Sequence, residues 1–167
     1  NTETDDFQTE VKTTAGSAAN LRLLSEGYIQ LAVVQADLLQ DAWNGEGSFA
    51  GGKTCQGYGA VAALYTEACQ IIVRDDSSII NMDDLLGKTV SVGEKESGTE
   101  QNAEKILSAS GLTDNMVTKV NLNYTDAAEQ LKDGTIDAFF CTATPLPSTA
   151  SSSPTTWSVL PMKTSIP

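Results

Sequence analysis

Residues 90–107 read Val-Ser-Val-Gly-Glu-Lys-Glu-Ser-Gly-Thr-Glu-Gln-Asn-Ala-Glu-Lys-Ile-Leu. A β-branched run, residues 89–92, meets Gly93, and a polar turn leads to Ser97-Gly98-Thr99. These open a helical pattern with Ala103, Ile106 and Leu107 on one face. Strand, loop and helix start in that order is how α/β proteins hold anionic ligands. The first four N–H groups of a helix lack partners within it, and the helix dipole adds partial positive charge there. The simpler reading is capping: Ser97 as N-cap, with Glu100 completing an S-x-x-E box. Both readings stay open on this stretch alone.

The alternation continues on either side. Strands are expected at 10–13, 29–34, 61–65, 70–74, 89–92, 117–121 and 136–141. Helices are expected at 18–26, 35–43, 98–110 and 125–133, the last capped by Thr125, with a short one at 83–87. Strands separated by helices imply parallel pairing with right-handed crossovers. Ligands of such sheets gather at the carboxyl ends of strands. Thr14-Ala15-Gly16-Ser17, Gln35-Ala36-Asp37, Glu96-Ser97-Gly98-Thr99 and Thr142-Ala143-Thr144 all occupy that position, and at least two are expected to line a ligand cleft.

Composition excludes several functions. The net charge of −12 argues against nucleic acid, whose phosphates need clustered Lys and Arg. An anion would have to be held by local dipoles against this field, and Arg22 and Arg74 are the only arginines. With no histidine, a Ser-His-Asp or Cys-His apparatus is absent and the usual zinc ligand is missing, so no metal or cofactor is expected. Cys69 and Cys141 sit in apolar runs and read as small buried hydrophobes; a Cys55–Cys69 bridge is the alternative. No window holds the roughly 18 apolar residues of a membrane span. The acidic start, residues 1–6, is unlike a signal segment and fits a mature, truncated or cytoplasmic chain.

Several motifs together resemble the solute receptors of TRAP transporters, TAXI family: VKTTAGSAANLRLLSEG from Val11, LAVVQAD from Leu31, NGEGSFAG from Asn44, ALYTE from Ala63, IIVR from Ile71, DDLLGKTVSVGEKESG from Asp83 and LKDGTIDAFFCT from Leu131. The resemblance implies an α/β, type II periplasmic-binding-like fold: two doubly wound lobes joined by two hinge strands near 71–74 and 138–142. Residues 1–72 and 140–167 would form lobe one, and residues 73–139 lobe two. It implies a periplasmic or extracytoplasmic, non-enzymatic receptor, membrane-tethered in its precursor. Such a receptor would capture a small carboxylate such as glutamate and deliver it to membrane permease subunits driven by an ion gradient. Carried over by position, the ligand contacts are Gly16, Ser17, Asn20, Gln35, Tyr65, Ser97, Gly98, Thr99 and Thr142.

Bland roles stand beside these: a solvated helix position for Asn20, a cap for Gln35, a core ring for Tyr65, a surface place for Arg22. Two departures from the family pattern are visible. Glu96 occupies a turn position where the family carries Gly. The pattern also lacks the family's first strand and helix, and after Thr142 gives way to a Pro/Ser/Thr run, residues 145–154, so lobe one is expected to be incomplete at both ends. The alternatives are a ligand-sensing regulatory domain of the same fold and a phosphate-using transferase. The second lacks a P-loop lysine beside Ser97-Gly98-Thr99, and Asp37, Asp75, Asp76, Asp83 and Asp84 stand in no catalytic motif.

Overall fold

The computed structural model describes residues 9–52 and 55–143 and, as backbone, residues 157–159. Its main elements are α1 (Ser17–Ser25), α2 (Ala36–Asn44), β1 (Ala68–Arg74), β2 (Thr89–Ser91), α3 (Gly98–Ala109), β3 (Thr118–Val120), α4 (Tyr124–Asp133), β4 (Ala138–Ala143) and β5 (Trp157–Val159). One mixed sheet runs in the order β3-β2-β4-β1-β5. β2 pairs parallel with β3 and β4, as the α-helical crossovers dictate, while β1 pairs antiparallel with β4 and β5. The expectation of purely parallel pairing is therefore corrected at β1. The chain between β1 and β2 carries only a 3-10 turn, Met82–Leu85, in place of the helix expected at 83–87.

The period-2 alternation of strands sorts the core onto two faces. Ile71, Val73, Val90, Ala138 and Phe140 point to one side and pack with Ala103 and Leu107 of α3. Ile72 and Phe139 point to the other and pack with Ala127 and Leu131 of α4. Each fully buried Leu, Ile or Phe stabilises by about 1.5–3 kcal/mol, so the faces of β1 and β4 carry much of this unit's stability. A separate small core joins Ala18 and Leu21 of α1 to Leu38 and Ala42 of α2, with Phe49 and Cys55.

The strands expected at 10–13, 29–34 and 61–65 are not strands. Those residues lie outside every ladder; Val11 and Val61 are exposed, at 92% and 87%, while Ile29 and Val34 are partly buried without pairing, Val34 against the α1–α2 core. A β-branched run becomes a strand only where a neighbour supplies the ladder, and none of the described residues does so here. The last strand begins at Ala138 rather than at 136, because Ile136 turns into the α4 face of the core. α4 is capped by Asn123, whose Oδ1 accepts the Asp126 N–H at 2.9 Å, and not by Thr125. β5 was not expected from the sequence. Cys55, Cys69 and Cys141 are all free, which removes the Cys55–Cys69 bridge; Cys69 and Cys141 are partly rather than fully buried. Burial pushes both of their thiols above the ordinary value, so they are poor nucleophiles. The expectations for residues 1–6 and 145–154 lie outside the described residues.

Candidate functional site

The polar loop before α3 is held by its own sequence. Ser97 is extended, and its Oγ accepts the Glu100 N–H at 3.0 Å. Glu100 reaches back one residue further than a standard capping box, with Oε2 accepting the Glu96 N–H at 2.7 Å. Asn121 Nδ2 donates to both Glu100 Oε1 and the Gly93 carbonyl, each at 2.9 Å, tying the loop to the end of β3. Capping is therefore real. It leaves the Gly98 and Thr99 N–H groups without a hydrogen-bond partner among the described residues.

Glu96 has φ 65°, a left-handed conformation that costs a non-glycine residue about 1–2 kcal/mol. Glycine would adopt the same conformation without that cost. The Glu96 carboxylate turns toward α1 and pairs with Arg22, whose guanidinium also lies 5.6 Å from the centroid of the Phe49 ring.

The start of α1 meets this loop directly. Gly16 has φ 137°, and a Cβ there would sit 3.0 Å from Ser97 Cα. The Ala19 N–H donates to the Glu96 carbonyl at 3.3 Å. Thr14 Oγ1 donates to Asn20 Oδ1 at 2.6 Å, and Asn20 Nδ2 donates to the Val33 carbonyl at 2.9 Å, so Asn20 holds the loop before α2. Ser17 is buried, and its Oγ accepts the Gln35 N–H at 3.1 Å.

Gln35 lies between the two helix starts. Its Oε1 accepts from Asn102 Nδ2 at 3.2 Å, and its Nε2 donates to Glu67 Oε2 at 3.4 Å. A Cβ on Gly98 would overlap the Gln35 amide, so glycine is what lets that amide lie over the start of α3. Gly16, Ser17, Asn20, Gln35, Ser97 and Gly98 thus come together around one seam. Thr99 and Thr142 join through a residue that sequence reasoning missed. Tyr65 is 65% exposed and makes no hydrogen bond to the group.

The missed residue is Tyr124. Its hydroxyl lies 2.7 Å from Thr99 Oγ1, accepts the Thr142 N–H at 3.1 Å and donates to the Thr142 carbonyl at 3.3 Å. A phenol has one proton and two lone pairs, so with Thr99 donating all three contacts are satisfied. Burial pushes the Tyr124 hydroxyl above its ordinary value, and the hydrogen bonds from Thr99 and Thr142 oppose this only in part. The group is a neutral phenol at neutral pH. Among the described residues Thr142 Oγ1 is buried without an oxygen or nitrogen partner; across the ladder it meets the Cys69 sulfur, a weak acceptor. Tyr124→Phe is expected to cost about 1–2 kcal/mol, because it strands the Thr142 N–H. Urea unfolding checks this, and an unchanged midpoint would show that Tyr124 does not tie α3 to β4.

Glu67 is half-buried and has no cationic partner among the described residues. Asp37 and Asp41 are engaged with Lys105, and Glu104 with Lys119. Of the carboxylates weighed for a transferase, Asp84 caps the Ile80 and Asn81 N–H groups and Asp76 pairs with Arg74. Two cavities lie away from the seam, about 240 Å³ beside Arg22, Phe49 and Cys55, and about 350 Å³ beside Leu39, Trp43 and Tyr58. Among the described residues no helix is long and apolar enough to cross a membrane.

The model of the NMT1-like family matches residues 1–153. The chain belongs to the NMT1-like family. Solved structures similar to parts of this NMT1-like chain include three periplasmic or arginine-binding proteins. A putative sulfonate ABC transporter's periplasmic sulfonate-binding protein from Methylobacillus flagellatus is 28% identical over 44% of this chain and 22% of its own, with a TM-score of 0.41. The periplasmic aliphatic sulphonate binding protein of Escherichia coli is 27% identical over 44% of this chain and 25% of its own, also at 0.41. The arginine-bound form of truncated ArgBP from T. maritima is 29% identical over 47% of this chain and 35% of its own, at 0.37. The chain thus spans about a fifth to a third of the length of these structures.

Proposed function

We propose that this chain is part of an extracytoplasmic solute receptor of the TAXI type, binding a small carboxylate and passing it to the permease of a TRAP transporter. Membership of the NMT1-like family supports a receptor reading over an enzymatic one, as does the engagement of the nearby carboxylates in caps and ion pairs. The observation that carries the proposal is the seam itself. Two helix starts, at Gly16-Ser17 and Ser97-Gly98-Thr99, abut across the Gln35 amide, and the Gly98 and Thr99 N–H groups have no hydrogen-bond partner among the described residues. In the two-lobed architecture proposed for the whole receptor, α1 and α2 belong to lobe one and α3 to lobe two. The seam is then where the lobes close on the solute.

The chemistry favours an α-amino acid such as glutamate over a plain anion. Helix-start N–H groups and the Ser17 and Ser97 hydroxyls, whose oxygens accept in the structure, donate to a carboxylate, while the Glu67 carboxylate, without a cationic partner among the described residues, accepts an ammonium. The proposed contacts remain Gly16, Ser17, Asn20, Gln35, Ser97, Gly98, Thr99 and Thr142, with Glu67 added and Tyr65 kept as an outer wall.

Calorimetry with L-glutamate on wild type and on the double variant Ser97→Ala, Thr99→Val tests this. Losing a cap costs roughly 1 kcal/mol of stability. Losing a hydrogen bond to a charged group costs about 1.5–3 kcal/mol of binding. Affinity should therefore fall more than stability does. An unchanged dissociation constant beside a lowered melting temperature would leave Ser97 and Thr99 only structural roles.

A further inference from the structure

Thr142 lies beyond the end of β2, whose last residue, Ser91, stands opposite Phe139 of β4. The Thr142 N–H and carbonyl meet the Tyr124 hydroxyl there. That hydroxyl accepts the N–H at 3.1 Å and donates to the carbonyl at 3.3 Å. One group can serve both, because the N–H and C=O of a residue in an antiparallel strand point to the same side. The third contact of the hydroxyl is Thr99 Oγ1, at 2.7 Å. A phenol has one proton and two lone pairs, so the count closes in one way. The proton goes to the Thr142 carbonyl, and the lone pairs take the Thr142 N–H and the Thr99 O–H. Were Tyr124 to give its proton to Thr99 instead, the Thr142 carbonyl would lose this donor. The Cys141 thiol is a further neighbour of the hydroxyl, and sulfur is too weak an acceptor to claim the proton. Burial, helped by Cys141 and Glu67, keeps the phenol protonated against the opposing bonds from Thr99 and Thr142.

Thr99 Oγ1 has a single proton. Once that proton is held by Tyr124, the oxygen offers only lone pairs to anything else. Thr99 follows Gly98, whose backbone lies against the Gln35 amide, and Gln35 Nε2 donates to Glu67 Oε2 at 3.4 Å. Two acceptors, a neutral oxygen and a carboxylate, thus stand around Gln35 and Tyr124. We propose that Tyr124 is a specificity-determining positioning residue: by taking the Thr99 proton it makes Thr99 Oγ1 an acceptor, so that Thr99 and Glu67 together select a solute carrying an ammonium over a plain carboxylate. An ammonium brings three donors and no lone pair, whereas a carboxylate brings only lone pairs and meets repulsion at both oxygens. This division also gives the seam a polarity. The Ser17 and Ser97 hydroxyls keep protons free to turn toward a carboxylate, since their oxygens only accept in the structure, and Thr99 does not.

The selection rests on the receptor reading above. Calorimetry with L-glutamate and with glutarate, which keeps both carboxylates and lacks the ammonium, reads it as a ratio of dissociation constants. Tyr124→Phe frees the Thr99 proton to turn toward a carboxylate. Glutarate should then gain on glutamate, and the preference for glutamate should fall by at least about fivefold. Thr99→Val is isosteric and removes the acceptor, so glutamate affinity should fall by roughly tenfold or more, the equivalent of one hydrogen bond to a charged group, with glutarate not weakened. Thr99→Ser keeps the hydroxyl and should keep the wild-type preference. A role for Tyr124 in stability alone would weaken both solutes equally. A preference unchanged in Tyr124→Phe and in Thr99→Val would overturn the assignment of Tyr124 while leaving the receptor reading in place. Wild type that binds neither solute would overturn the receptor reading, and the selection with it.

Discussion

Phe140→Ala is expected to lower the stability of the chain by about 3–5 kcal/mol, the range for removing a fully buried aromatic ring from a core. Phe140 is 0% exposed at the middle of β4, the strand between β2 and β1. It stands opposite Ile71 in the ladder and shares its cluster with Val73, Val90, Ala103 and Leu107. The ring therefore joins three strands to α3. A domain of this size is stable by about 5–15 kcal/mol, so the variant should lose a large share of the total. Urea unfolding measures it through the shift in midpoint at constant slope. A loss below about 1 kcal/mol would mean that the α3 face is not the main core.

Gly93→Ala is expected to cost about 2–5 kcal/mol, from two causes that add. Gly93 has φ 94°, where an L side chain is strained by about 1–2 kcal/mol. A Cβ would also stand 2.9 Å from Thr99 Cβ and 3.1 Å from Ser97 Oγ, both on buried residues. Overpacking of that kind costs about 1–3 kcal/mol. The loop cannot swing clear, since the Gly93 carbonyl is held by Asn121 Nδ2. Because the clash falls on Ser97 and Thr99, any solute affinity at the seam should drop with stability. Thermal melting and calorimetry on the same sample measure both, and a variant as stable as wild type would contradict the geometry of this turn.

The strand–loop–helix unit from β2 through α3 was legible in the sequence to within a residue or so, and so were β3 and α4. There every signal agrees: β-branched runs, apolar period 3.6, Gly stops at Gly111 and Gly134, and a Ser cap. The seam was legible as a set of helix starts. Gly16, Ser17, Gln35, Ser97 and Gly98 were each marked by turn chemistry, although nothing in the sequence said that they touch. What was not legible depends on partners distant along the chain. Residues 29–34 and 61–65 carry strand-like composition, but pairing belongs to two segments at once, and no described strand lies beside them. Tyr124 escaped notice because its role arises where the start of α4 meets Thr142, 18 residues on. The antiparallel pairing of β1 with β4 is a property of topology that period-2 patterning does not encode. Glu96 was visible as an oddity, and only its φ of 65° and its pairing with Arg22 give the oddity a cause.

The central claim is that the seam between the two helix starts binds a small amino or carboxylic acid. Amide chemical shifts during titration with L-glutamate test it most directly. The account predicts saturable shifts at Gly98 and Thr99, whose N–H groups have no partner among the described residues, together with Gly16, Ser17 and Gln35, while the Ile71 and Phe140 amides of the ladder stay unmoved. A titration that leaves Gly98 and Thr99 unshifted, or that moves only residues around Trp43 and Tyr58, would contradict it.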